Sequence, residues 1–230
     1  MKIDLHNFFK YYDANNPKHV AAVEQLEKDL VDSPLMEDTS NWVRIFRSQP
    51  DKPKSSVLSV PFYPQTDNYR DADRTCNSSA CAMVLEYLKP GTLQGPKGDD
   101  AYVKKVFAIG DTTDHMVQTR VLAGYGIQSH FSYGLSFADL DRELSAGRPV
   151  VIGILHRGSL SAPTGGHMLV VIGKTPSGDY VVNDPYGSLN DGYTGAVTNG
   201  RGATYKKSDL ARRWCPKGND GWGRIFEGKK

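Results

Sequence analysis

Residues 74–88 read RTCNSSACAMVLEYL. Counting from Cys81, the apolar residues Val84, Leu85 and Leu88 fall on one face of a helix. Lys89-Pro90-Gly91 supplies a stop. A helix over residues 77–88 is therefore expected, with Cys81 on its buried stripe. A thiol in apolar surroundings has a raised pKa and is inert. Cys76 lies earlier, at the helix start and off the stripe, with Arg74 before it and Asn77, Ser78 and Ser79 behind it. There the free N–H groups and the positive end of the helix dipole favour thiolate over thiol. Local sequence leaves two readings of Cys76 open: a half-buried structural cysteine, or a reactive one. Cys215, in RRWCPKG, has no base beside it and reads as structural.

The whole chain bounds the setting of this helix. It has 230 residues, 39% hydrophobic and 23% charged, which suits one globular domain with an appendage. The net charge of +2, without a basic run, argues against a nucleic-acid partner. No apolar run approaches the ~18 residues of a membrane helix, so no membrane insertion is expected. The start, MKIDLHNFFKYYDANN, lacks the apolar core and cleavage site of a secretory signal. Synthesis in the cytoplasm is expected, with any action on a cell wall following release or delivery. Three cysteines argue against a disulfide framework.

Residues 1–56 read as a helical appendage and linker. Asn16-Pro17 is a helix start, Val20, Val23, Leu26 and Leu30 follow at helical spacing, and Ser33-Pro34 is a stop. Trp42, Val43, Ile45 and Phe46 are expected to dock, and SQPDKPKSS (48–56) to link. Residues 57–230 form the main domain. VLSVPFYPQ is an extended segment ending in a turn, and TLQGPKGDDAY (92–102) a loop. Residues 113–123 form a second helix, IQSHFSYG a strand, and Ser136–Ala146 a third helix with a Ser136/Asp139 capping box. RPVVIGILH (148–156), GHMLVVIGK (166–174) and DYVVNDP (179–185) are strands, the last two joined by TPSG into an antiparallel hairpin. Residues 187–203 are expected to be loop-rich, and WGRIF to add a final strand. Helices first and an antiparallel sheet afterwards make an α+β fold.

A nucleophilic cysteine needs a base and a group to orient that base. Of the six histidines, His167 has the most suggestive setting: it follows Gly165-Gly166 and opens a buried-strand run. A hairpin turn centred near Pro176 puts it opposite Asp184 or its neighbour, within reach to fix the imidazole tautomer. A plain strand start and an ordinary Asp-Pro turn read equally well from these residues. The Cys76 N–H is a candidate oxyanion donor, and the side chain of Gln65 another, although a lone loop glutamine is usually surface. Asp99, Asp100, Asp111 and Asp114 have no zinc-type spacing, and NDPYGSLND lacks the EF-hand pattern, so no metal or other cofactor is expected.

Taken in order, VPFYPQ, TCNSSACAMVLEYL, GRPVVIGI, GGHMLVVIGK and VVNDPYG resemble papain-like cysteine peptidases. The family they resemble most removes double-glycine leader peptides from bacteriocins and has stand-alone relatives. The resemblance spans Val57 to Gly187. It implies a papain-like fold, with the cysteine helix packed on an antiparallel sheet. It also implies Cys76 as nucleophile, His167 as base, Asp184 as its orienting carboxylate and Gln65 in the oxyanion hole. Asn77-Ser78 stands where the family usually has Gly-Pro, which makes NSS the expected origin of this chain's own specificity. Leader-trimming members are fused to membrane transporters, so that role is not carried over. The expected activity is hydrolysis of an amide bond in a peptide or in peptidoglycan, as in a phage or bacterial cell-wall lysin. The alternatives are a polypeptide-processing protease, or a non-catalytic structural or binding protein of phage origin.

Overall fold

The computed structural model describes residues 16–19, 21–22, 25 and 57–227. The chain divides into two units, Met1–Lys54 and Ser55–Lys230. In the first, residues 17–19, 21–22 and 25 are helical. Asn16 Oδ1 accepts from Lys18 N at 3.0 Å, the bond of an asparagine cap with proline at the first helical position. The expected features at Val20, Val23, Leu26, Leu30, Ser33-Pro34 and 42–56 lie outside the described residues.

The second unit opens with Val57–Pro64, where Leu58 N donates to Ile172 O at 2.8 Å, and a 3₁₀ turn at Gln65–Asp67. Three helices follow: α1 Cys76–Leu88, α2 Asp99–Ile109 and α3 His115–Gly124. Next come β1 Ser129–Leu135, α4 Phe137–Ser145, β2 Val150–Ile154, the small hairpin β3 Arg157–Ser159 and β4 Ala162–Thr164, and β5 His167–Lys174. The chain ends with β6 Tyr180–Asn183, β7 Arg201–Tyr205, α5 Lys207–Arg213 and β8 Gly221–Phe226. Six strands form one antiparallel sheet in the order β1-β8-β2-β5-β6-β7.

Both faces of this sheet are covered, which explains the nearly unbroken apolar runs of β2 and β5. Val151, Met168, Val170 and Ile172 pack in one cluster with Cys81, Val84 and Leu85 of α1 and residues of α2 and α3. Their alternates Val150, Ile152, Ile154, Leu169 and Val171 pack in the other, with Leu140 of α4 and Leu210 of α5. Sequestering such side chains contributes ~1.5–3 kcal/mol each, before the entropy of ordering them. Gly153 is required by the packing: a Cβ there would lie 2.0 Å from the Trp222 ring. The tail strand β8, foreseen as an addition, is inserted between β1 and β2 in mid-sheet.

Helix α4 carries the expected capping box, with Ser136 Oγ accepting from Asp139 N and Asp139 Oδ2 accepting from Ser136 N. Helix α2 corrects the loop reading of 92–102. The Gly95-Pro96-Lys97-Gly98 turn hides a helix that starts at Asp99 and buries Tyr102, Val103 and Val106. Residues 187–203 also hold more than loop: two 3₁₀ turns, and β7, which pairs with β6 at the sheet edge. The β5–β6 hairpin forms, but its register differs from expectation. Lys174↔Tyr180 and Gly173↔Val181 are followed by a shift to Val171↔Val182 and Val170↔Asn183. The β5–β6 ladder ends at Val170↔Asn183, short of His167, which pairs across the other edge of β5 with Ile154 of β2, and Asp184 lies just past the last hairpin pair.

Candidate active site

Cys76 is the first residue of α1 and is half-buried. The polar residues behind it turn away into the protein. Asn77 Nδ2 lies 3.3 Å from His115 Nδ1, Ser78 Oγ lies 2.7 Å from Thr112 Oγ1, and Ser79 Oγ donates to Asp99 Oδ2 at 2.7 Å. All three are at most 2% exposed. NSS therefore locks the start of α1 to α2 and α3, and any part it has in specificity is exerted from within the protein rather than by an exposed side chain. Cys81 is fully buried, and burial pushes its thiol up despite the neighbouring Arg224 and Tyr102. Cys215 is buried as well, with Sγ 3.4 Å from Leu135 O.

His167 opens β5, and its Nε2 lies 2.6 Å from Asp184 Oδ1, with both residues buried. Since Asp184 occupies Nε2, Nδ1 is the ring nitrogen left to interact with Cys76. Burial works against the Cys76 thiolate, but the bond to His167, its charge, and the N–H groups of Met168 and Asn77 outweigh it. The thiol is held below its ordinary value. Burial likewise works against the imidazolium, but the Asp184 charge and bond and the Cys76 bond and charge lift His167 to about 10. The two shifts act together, each favouring the charged form: a thiolate facing an imidazolium.

Asp184 is held by more than its histidine. Oδ1 also accepts from Tyr186 N at 3.1 Å, and Oδ2 accepts from Tyr193 Oη at 3.1 Å and Tyr205 Oη at 2.7 Å. His156 completes the surroundings, its ring 5.2 Å from that of His167. Gly165 makes room for it, with φ of 77° and an ideal Cβ position 3.0 Å from His156 Cε1. Burial, then the charges of His167 and Arg157, push His156 down to about 4, so it stays neutral beside the imidazolium.

Gln65 is 1% exposed and ties the two halves of the site. Its backbone N donates to Pro185 O at 2.8 Å, next to Asp184. Its Nε2 donates to Ala72 O at 2.8 Å, an oxygen that also accepts from Thr75 Oγ1, next to Cys76. The structure thus brings together Cys76, His167 and Asp184 by contact, and Gln65 through a shared acceptor. His130 is exposed, and His115 stacks on Phe131 at 3.5 Å. The four aspartates do not gather: Asp99 accepts from Ser79, Asp100 from Tyr69 N, Asp111 from Arg74, and Asp114 caps α3. Among the described residues no group of three or more His, Cys, Asp or Glu is placed to hold a metal. Sequence reading missed Tyr186, Tyr193 and Tyr205. The last two arrive on a glycine-rich segment whose pattern announces no element.

The sequence model of the Peptidase_C39 like family matches residues 57–220. A C39-like peptidase from Bacillus anthracis shares the fold at a TM-score of 0.52 with 14% identity, over 76% of this chain and 98% of that one. A double glycine motif protease from an AMS/PCAT transporter, solved in complex with the leader peptide, superposes at 0.48 with 16% identity, over 76% and 95%. No curated protein matches the chain in sequence.

Proposed function

The chain belongs to the Peptidase_C39 like family and is a cysteine peptidase of papain-like fold, and from that premise we propose that Cys76, His167, Asp184 and Gln65 are its catalytic set. The observation that carries this reading is the Cys76–His167 pair, locked by the 2.6 Å bond from His167 Nε2 to Asp184. The thiolate attacks the carbonyl carbon of a peptide bond, and the carbonyl electrons move onto oxygen. The Cys76 N–H and the second amide hydrogen of Gln65 stabilise that oxyanion; losing one such donor typically costs ~2.7–4 kcal/mol of transition-state stabilisation. The tetrahedral species collapses as His167 Nδ1 hands its proton to the leaving amine. Neutral His167 then takes a proton from water, which attacks the thioester and releases the acid and the thiolate. Asp184 holds the imidazole through both steps, and the chemistry calls on no cofactor.

The substrate we favour is a peptide of the bacterial cell wall, cleaved by an endopeptidase or amidase action after the protein is released or delivered there. The net charge of +2 suits a polyanionic wall, and no described helix is long and apolar enough to cross a membrane. We take 57–230 as the catalytic domain and 1–56 as its appendage. A processing protease acting on polypeptides is the second reading, favoured by the family. Iodoacetamide labelling near neutral pH, with a Cys76→Ala control, tests the nucleophile: faster labelling of Cys81 than of Cys76 overturns it. Turbidity clearing of bacterial walls, with casein cleavage beside it, tests the substrate. Intact walls and cut casein would move the assignment to the processing protease.

A further inference from the structure

Asp184 Oδ2 receives two phenolic hydrogen bonds, an arrangement the proposed reaction does not by itself require. Tyr205 comes from the edge strand β7, and its oxygen also accepts from Leu189 N at 2.8 Å, so it is fixed at both ends. Tyr193 comes from the loop between β6 and β7 and has φ of 60°, a left-handed backbone that a bulky residue rarely adopts. Such strain persists only where the surroundings impose it, and it often marks a functional position. Here it accompanies a ring packed against His167 at 5.9 Å and His156 at 5.7 Å, with its hydroxyl on Asp184.

We infer that Tyr193 and Tyr205 are positioning residues that act through Asp184 to set how strongly His167 holds its proton. The inference rests on the Cys76–His167–Asp184 reading. Two phenols on Oδ2 and one backbone N–H on Oδ1 take up acceptor capacity that a buried carboxylate would otherwise concentrate on the imidazolium. Burial and the Asp184 charge raise both phenols, so they remain donors throughout the working pH range. The groups facing this carboxylate and its histidine are Cys76 from α1, neutral His156 after β2, and Tyr186, Tyr193 and Tyr205. Arg157 and Arg213 stand beyond His156 and act on it by charge. None of these groups is a carboxylate that could replace Asp184.

The test is the imidazole titration of His167 followed by ¹⁵N NMR in the full chain, together with iodoacetamide rates against pH. Tyr205→Phe and Tyr193→Phe are each expected to move the His167 midpoint upward by about half to one pH unit, because Oδ2 loses a donor. The low-pH limb of alkylation should move down in step. A phenol that only supports the fold would lower Tm and leave the midpoint where it is. An unmoved or lowered midpoint in whichever variants fold, checked by circular dichroism, overturns the inference. Cys76→Ala separates the two levels. It should lower the wild-type midpoint, and if it leaves the midpoint unchanged, the thiolate–imidazolium reading itself fails, whatever the tyrosine variants do.

Discussion

Replacing Asp184 by Asn removes a charge while keeping an acceptor for His167. The imidazole rises from an ordinary 6.5 to about 10, a preference for the charged form worth roughly 5 kcal/mol. Burial opposes that rise, so Asp184 and Cys76 together supply more than the net figure, with the Asp184 charge foremost. An opposite charge at contact distance moves a pKa by ~1–3 units, so Asp184→Asn should bring His167 down by about two, to roughly 8. The amide can turn its oxygen to Nε2–H and its nitrogen to the Tyr193 and Tyr205 hydroxyls, so a hydrogen-bonded arrangement survives. The assay is the ¹⁵N titration of His167, with Cys76 alkylation as a second readout. The imidazolium beside Cys76 should be lost as pH climbs through roughly 8 rather than about 10, and the pH profile of alkylation should change over that window. Stability follows with a definite sign. A raised folded pKa contributes stability that is complete below the unfolded value near 6.5 and is lost as pH climbs through about 10. The urea-midpoint advantage of wild type over Asp184→Asn should therefore shrink between pH 7 and 10. A variant midpoint that stays near 10 would show that Cys76 alone holds the imidazolium, and would refute this electrostatic account.

Asp99 is buried, and desolvation together with Asp67 and Asp100 pushes it up to about 6 despite the bond from Ser79. Its folded value is raised, so wild type loses stability as pH climbs through about 6; Asp99→Asn should be increasingly favoured from pH 4 to 7, by up to about 3 kcal/mol in urea titrations. Cys81→Ala should lower stability by ~1–3 kcal/mol through lost packing yet leave Cys76 alkylation unchanged, as mass spectrometry of labelled protein would show. Gly153→Ala drives a methyl into the Trp222 ring and should cost ~1–3 kcal/mol, read as a fall in Tm, since the β2 backbone cannot withdraw without breaking its pairs with β5 and β8.

Local pattern was enough wherever one element decided the outcome. The stripe from Cys81 through Val84, Leu85 and Leu88 placed α1 and left Cys76 at its head, as the fold has it. Apolar runs marked β2 and β5, and Ser136 with Asp139 marked the start of α4. Elements that owe their existence to a neighbour were not legible. Strand β7 is largely exposed and is held by pairing with β6, and α2 hides behind a Gly-Pro turn. The same division runs through the site. Local pattern left Cys76, His167, Asp184 and Gln65 open, and the family resemblance of the ordered blocks put them forward as the candidate set. Distances could not be read that way: the hairpin register is set at its turn, and Asp184 reaches His167 from beyond the end of the ladder. Nor could NSS be read, since burial depends on what α2 and α3 bring against it. The two tyrosines on Asp184 come from segments that no periodicity marks. Sequence by itself determined α1, α4, the buried strands β2 and β5 and the reactive residue types, because these follow from local spacing and side-chain chemistry. Tertiary structure decided which polar atoms share one buried carboxylate, because that depends on long-range packing and on the backbone conformation it enforces.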